Sequence, residues 1–125
     1  MRTFIEPTII HKDSFSESEK NIIASELDIP VEKISIQEMR YFSTRETSIY
    51  FTVSTSSLDI LASYKYQGDY YDDKPTYYKK GKDPHNDIIC VVKSEQPYEL
   101  YFILRDTWNT NLSNIVRKHH FNFWF

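Results

Sequence analysis

Four histidines, His11, His85, His119 and His120, are the groups in this 125-residue sequence best suited to move protons near neutral pH. His119 and His120 are adjacent, so in a helix or a strand their rings point in different directions and cannot easily act on one atom. Adjacent histidines also lack the i, i+4 spacing of an H-E-x-x-H metal pair. His11 and His85 stand alone, and all four are expected at the surface or at helix ends. A small hydrolase or nuclease using His119 or His120 with a lysine such as Lys80 or Lys82 is the catalytic alternative, and no spacing supports it. Cys90 is the single cysteine, which excludes an intrachain disulfide and any multi-cysteine zinc site. It sits inside Ile88-Ile89-Cys90-Val91-Val92, the setting of a buried thiol rather than of a nucleophile. Gly68 and Gly81 are the only glycines. That scarcity excludes the G-x-x-x-x-G-K-S/T phosphate loop, the dinucleotide G-x-G-x-x-G and the G-x-S-x-G nucleophile elbow.

Carboxylates cluster at Asp69, Asp72, Asp73, Asp83 and Asp87 without the regular offsets of a calcium loop, so a solvated acidic loop with no metal and no cofactor is expected. The most unusual composition lies in residues 64–82, which hold six of the ten tyrosines. Tyrosine offers a rigid, amphipathic contact surface at small entropic cost. Asp69, Tyr70, Tyr71, Asp72, Asp73, Tyr77 and Tyr78 are therefore the candidate partner-binding residues. The competing reading places some of these tyrosines over the sheet as ordinary cover. Five lysines against three aspartates give this segment a net charge of only +2, and the acids would repel phosphate, so nucleic acid is not the expected ligand. Residues 13–32 carry six acids, Asp13, Glu17, Glu19, Glu26, Asp28 and Glu32, against the one base Lys20. This pattern reads as a solvated helix face or as a surface that steers a basic partner.

The elements that must position these groups follow from periodicity and punctuation. Residues 2–10 read as an edge strand broken at Pro7. Ser16 stands three residues before Glu19, the spacing of a capping box, and Ile22, Ile23 and Leu27 form the stripe of a helix that Pro30 stops near Asp28. Residues 34–42 and 48–55 alternate as two strands joined by the polar connection 43–47, with Ile49, Phe51 and Val53 on one face of the second. Ser56-Ser57 could cap a second helix closing at Gly68, with a bulged strand as the alternative. Residues 69–86 then read as a long loop, a length that suggests binding or disorder. Residues 88–92 and 98–104 form the hairpin expected at the sheet centre. A third helix is placed over 109–118, and the aromatic tail places Phe121, Phe123 and Phe125 on one face if it is extended.

The sum is one α+β domain over residues 1–125. It comprises a single, mostly antiparallel sheet of about five strands with two to three helices packed on it. The net charge of −3 and the absence of any run of about 18 apolar residues point away from bulk polyanion binding and from a membrane helix. A charged start without an apolar signal stretch, together with the unpaired cysteine, suggests a cytoplasmic protein. With no catalytic spacing, the expectation is a monomeric or homodimeric, non-catalytic protein-binding module. Its preferred form is an inhibitor or immunity protein that covers a basic, nuclease-like toxin domain. A phage-encoded inhibitor of a host defence complex is the neighbouring reading.

Overall fold

The structure, a computed structural model, describes residues 8–42, 48–81, 87–95, 97–105 and 110–124. In chain order its elements are β1 (Thr8–His11), α1 (Glu17–Leu27), β2 (Ile34–Phe42), β3 (Ser48–Thr55), β4 (Lys65–Tyr71), β5 (Lys74–Lys79), β6 (Ile88–Ser94), β7 (Tyr98–Arg105) and α2 (Thr110–Trp124). Short 3₁₀ turns cover Lys12–Ser14, Val31–Lys33 and Leu58–Leu61. The strands make one antiparallel sheet in the order β1-β2-β3-β7-β6-β5-β4.

Among the described residues, seven strands and two α-helices replace the expected five or so strands and two to three helices. The two extra strands are β4 and β5, which occupy ground read as a helix tail and a long loop. The expected second helix shrinks to the 3₁₀ turn Leu58–Leu61, whose first N–H groups Ser57 caps at 3.1 Å through Asp59 N–H. Beyond it the tyrosines alternate with charged residues and suit a strand better than a helix. Gly68 does not close a helix. It lies within β4 at φ 109°, beside a register shift between Tyr66 and Gly68, where a side chain would be strained.

Register assigns the faces. Phe51 pairs with Phe102, and Phe102 with Cys90, so three buried side chains form one cross-strand row at the centre of the sheet. Ile49, Leu104 and Ile88 form the next row, and Val53, Leu100 and Val92 the one after. These nine residues belong to one cluster with Ile23 and Leu27 of α1 and Leu112, Ile115 and Val116 of α2, which places the helices on this face. Burying each of the larger side chains contributes about 1.5–3 kcal/mol. Val91 is also buried but stands outside that cluster, because it points to the opposite face.

A bulge near Gln37 resolves the uneven alternation of β2. It shifts register between Ile36 and Glu38, so Ile36 and Met39 both reach the core while Glu38 and Arg40 turn outward. Strict alternation would have put Ile36, Glu38 and Arg40 on one side. At α1 the capping box is complete. Glu19 N–H donates to Ser16 Oγ at 3.1 Å, and Ser16 N–H donates to Glu19 Oε1 at 2.8 Å. The helix ends in left-handed Asp28 at φ 55°. Tyr64, buried and edge-on to Phe102 at 5.9 Å, donates its hydroxyl to Leu27 O at 2.7 Å and so satisfies a carbonyl of the last turn.

α2 runs on to Trp124 as helix, so the stretch 121–124 is not the extended tail considered from the sequence. The Pro7 break, the connection 43–47, His85 and Phe125 lie outside the described residues.

Cys90 is fully buried, and burial pushes its thiol well above the ordinary range. Cys90→Ser should therefore lower stability by about 1–3 kcal/mol in urea unfolding, because a hydroxyl there has no water. Unchanged stability together with rapid thiol labelling of the native protein would contradict this placement.

Candidate functional site

The tyrosine-rich segment folds as the hairpin β4–β5 at one edge of the sheet. Tyr71 pairs with Lys74 across a two-residue loop. Both loop residues are left-handed, Asp72 at φ 53° and Asp73 at φ 57°. A loop with positive φ at both positions matches the right-handed twist of its strands and usually holds Asn-Gly or Asp-Gly. Here a second aspartate occupies the position that glycine fills at least cost. The turn is braced from within. Tyr71 N–H donates to Thr76 Oγ1 at 3.4 Å, and the same hydroxyl donates to Lys74 O at 3.0 Å.

Six of the seven residues of β4 are exposed, on both faces of the strand. Tyr70 is 72% exposed, Tyr66 53% and Tyr71 43%. Tyr66 donates its hydroxyl to Asp69 Oδ1 at 2.7 Å, and this bond raises the Tyr66 phenol above its ordinary value. Asp69, Tyr70, Tyr71, Asp72 and Asp73 thus come together at the free end of the hairpin. Tyr77 and Tyr78 lie lower on β5 and are half-buried. Tyr77 packs against the core and against Tyr66, 5.4 Å between ring centres. Tyr78 faces the other way, and its bond to Asp87 raises its phenol above the ordinary value.

The helix-rich acidic stretch is largely engaged within the molecule. Glu17 pairs with Lys20 at 3.4 Å, Asp28 with Lys79 at 3.1 Å, and Glu26 Oε1 accepts from Asn111 at 3.0 Å. Glu19 is buried, which sequence reading did not foresee. Its Oε2 meets His119 Nε2 at 3.0 Å, with Lys118 Nζ at 3.8 Å and the Phe15 ring edge-on to the imidazole at 6.0 Å. A histidine, a lysine and a carboxylate therefore do converge, and His119, expected at the surface or at a helix end, is half-buried within α2. The capping spacing announces Glu19, but nothing local announces a histidine 100 positions away.

Chemically this group behaves as a clasp. Glu19 Oε1 is taken by Ser16 N–H, which closes the cap of α1, and Oε2 by the two side chains of α2, so one oxygen holds the helix start and the other holds α1 to α2. Among the described residues no cluster of three or more His, Cys, Asp or Glu could hold a metal ion. No described helix is long and apolar enough to cross a membrane. No family model, curated protein or solved structure matches the chain.

Burial opposes ionisation of Glu19, but the Ser16 hydrogen bond, the His119 bond and the charges of His119 and Lys118 outweigh it. The carboxyl is held below its ordinary 4.5. A group depressed in the folded state contributes stability above its unfolded value, and that stability is lost as pH falls through the folded value. Glu19→Gln should cost about 1–3 kcal/mol at pH 7 and flatten the acid limb of the stability profile below about pH 4.5. An acid limb identical to that of the wild type would contradict the clasp.

Proposed function

We propose that this chain is a non-catalytic protein-binding module of the cytoplasm, an inhibitor or immunity protein that occludes a basic, nuclease-like toxin domain with its β4–β5 hairpin. The observation that carries the reading is the exposure of Tyr66, Tyr70 and Tyr71 on a strand that stands clear of the core on both faces. Three exposed tyrosines on a braced hairpin lose little entropy on docking, which is how aromatic anchors gain affinity. The tip 69–74 adds three carboxylates against one lysine, a charge suited to a cationic cleft. Asp73 accepts a left-handed conformation where glycine would relax it, in keeping with a carboxylate selected for contact. Two register shifts in β4, at Tyr66/Gly68 and at Asp69/Tyr71, disfavour strand addition at that edge. Recognition through side chains is the mode left to the hairpin.

A second reading, a hydrolase or nuclease built on His119, takes its support from the Glu19–His119–Lys118 group. Both Glu19 oxygens are engaged, one in the cap of α1 and one in the contact with α2, which favours the binding module. Capture from native lysate, followed by titration of the purified partner, tests the two together. Asp72→Asn with Asp73→Asn, which removes both charges and keeps residue types that tolerate the left-handed turn, should weaken binding at least tenfold, about 1.4 kcal/mol, with unfolding nearly unchanged. An unaltered dissociation constant would refute the hairpin assignment. Turnover of nucleic acid that disappears in a His119→Ala variant whose far-ultraviolet spectrum and unfolding show an intact fold would establish the second reading instead.

A further inference from the structure

The face of the sheet opposite the helices carries an apolar centre of its own. Register places Tyr50, Ile103, Ile89 and Tyr78 in one row across β3, β7, β6 and β5, and Thr52, Tyr101, Val91 and Thr76 in the next. Tyr50 and Tyr101 stack diagonally between the rows, 5.5 Å between centres and 9° apart, and Lys93 Nζ lies 5.2 Å from the Tyr101 centre. With both neighbours against it, the Tyr101 ring has little face left for a nucleic-acid base. At the β2 end Arg40 continues the first row and Glu38 the second, bonded to each other at 2.7 Å. Ile9, 41% exposed, extends the first row on β1. The helices contribute their buried residues to the other face.

We infer that this face is a two-fold interface with a second copy of the chain. A two-fold axis lying across the strands, between the two rows, exchanges the rows between copies. Arg40 of one copy then faces Glu38 of the second, and Glu38 faces Arg40, while Tyr101 of one copy meets Ile103 of the other. That reciprocity is what an isologous contact requires, and a wholly acidic or wholly basic partner would leave one of the two charges opposed. The six strands that carry the rows, at about 4.8 Å spacing and roughly 20 Å of strand, give about 600 Å² of projected face per copy. Two copies bury roughly 1,200 Å², the lower end of specific interfaces. The arrangement resembles the aligned packing of two sheets in a sandwich, and it leaves the hairpin tip 69–74 outside the contact. It stands independently of the toxin-inhibitor reading.

Sedimentation velocity from about 1 to 500 μM tests it on the full chain. The mass should rise with concentration from 15.0 kDa towards twice that value. Ile89→Arg should hold it at the monomer mass, with the far-ultraviolet spectrum confirming that the variant is folded. Arg40 is exposed, so charge variants at that position report contact without loss of the fold. Arg40→Glu alone should weaken self-association at least tenfold, and the exchanged pair Glu38→Arg with Arg40→Glu should restore it. A monomer throughout the range, or a dimer indifferent to Ile89→Arg and to Arg40→Glu, would overturn the inference.

Discussion

One cross-strand row, Phe51 to Phe102 to Cys90, decides what the rest of the molecule can be. Because successive strand residues point to opposite faces, fixing these three on the helix side fixes every neighbouring residue as inward or outward. α1 and α2 cover that side, and the Glu19–His119 contact ties one helix to the other near the start of α1. The cover is lopsided. It leaves the second face lined with tyrosine and isoleucine, and at the sheet edge it leaves β4 exposed on both faces.

That asymmetry connects the fold to both proposals. A two-layer arrangement of helices on one face is enough to stabilise the sheet, so the open face and the hairpin are available for other contacts. The two surfaces differ in kind. The hairpin tip bears a mainly acidic cluster and rigid aromatics, suited to an oppositely charged partner. The open face bears reciprocal charges around an apolar centre, suited to a copy of itself.

Sequence reading recovered what is encoded locally. The Ser16–Glu19 spacing gave the start of α1, Pro30 its end, and the alternation of Ile49, Phe51 and Val53 the buried face of β3. It failed where the deciding contact is distant or the signal is doubled. Residues 69–79 looked like a loop because two aspartates occupy a turn that usually advertises itself with glycine. The bulge near Gln37 reversed the phase of β2, and a hydrophobic pattern alone does not reveal an inserted residue. His119 looked like a surface residue because its partner stands at the opposite end of the chain. Of the seven proposed contact residues, five gather at the hairpin end, whereas Tyr77 and Tyr78 are half-committed to the sheet.

The central claim is that the molecule works by presenting the β4–β5 hairpin to another protein. Hydrogen–deuterium exchange of the free chain and of its complex with the captured partner measures this directly. Exchange should slow across residues 65–79 on binding, with the amides of α2 around His119 unaffected. Protection centred on α2 with no change in 65–79 would contradict it.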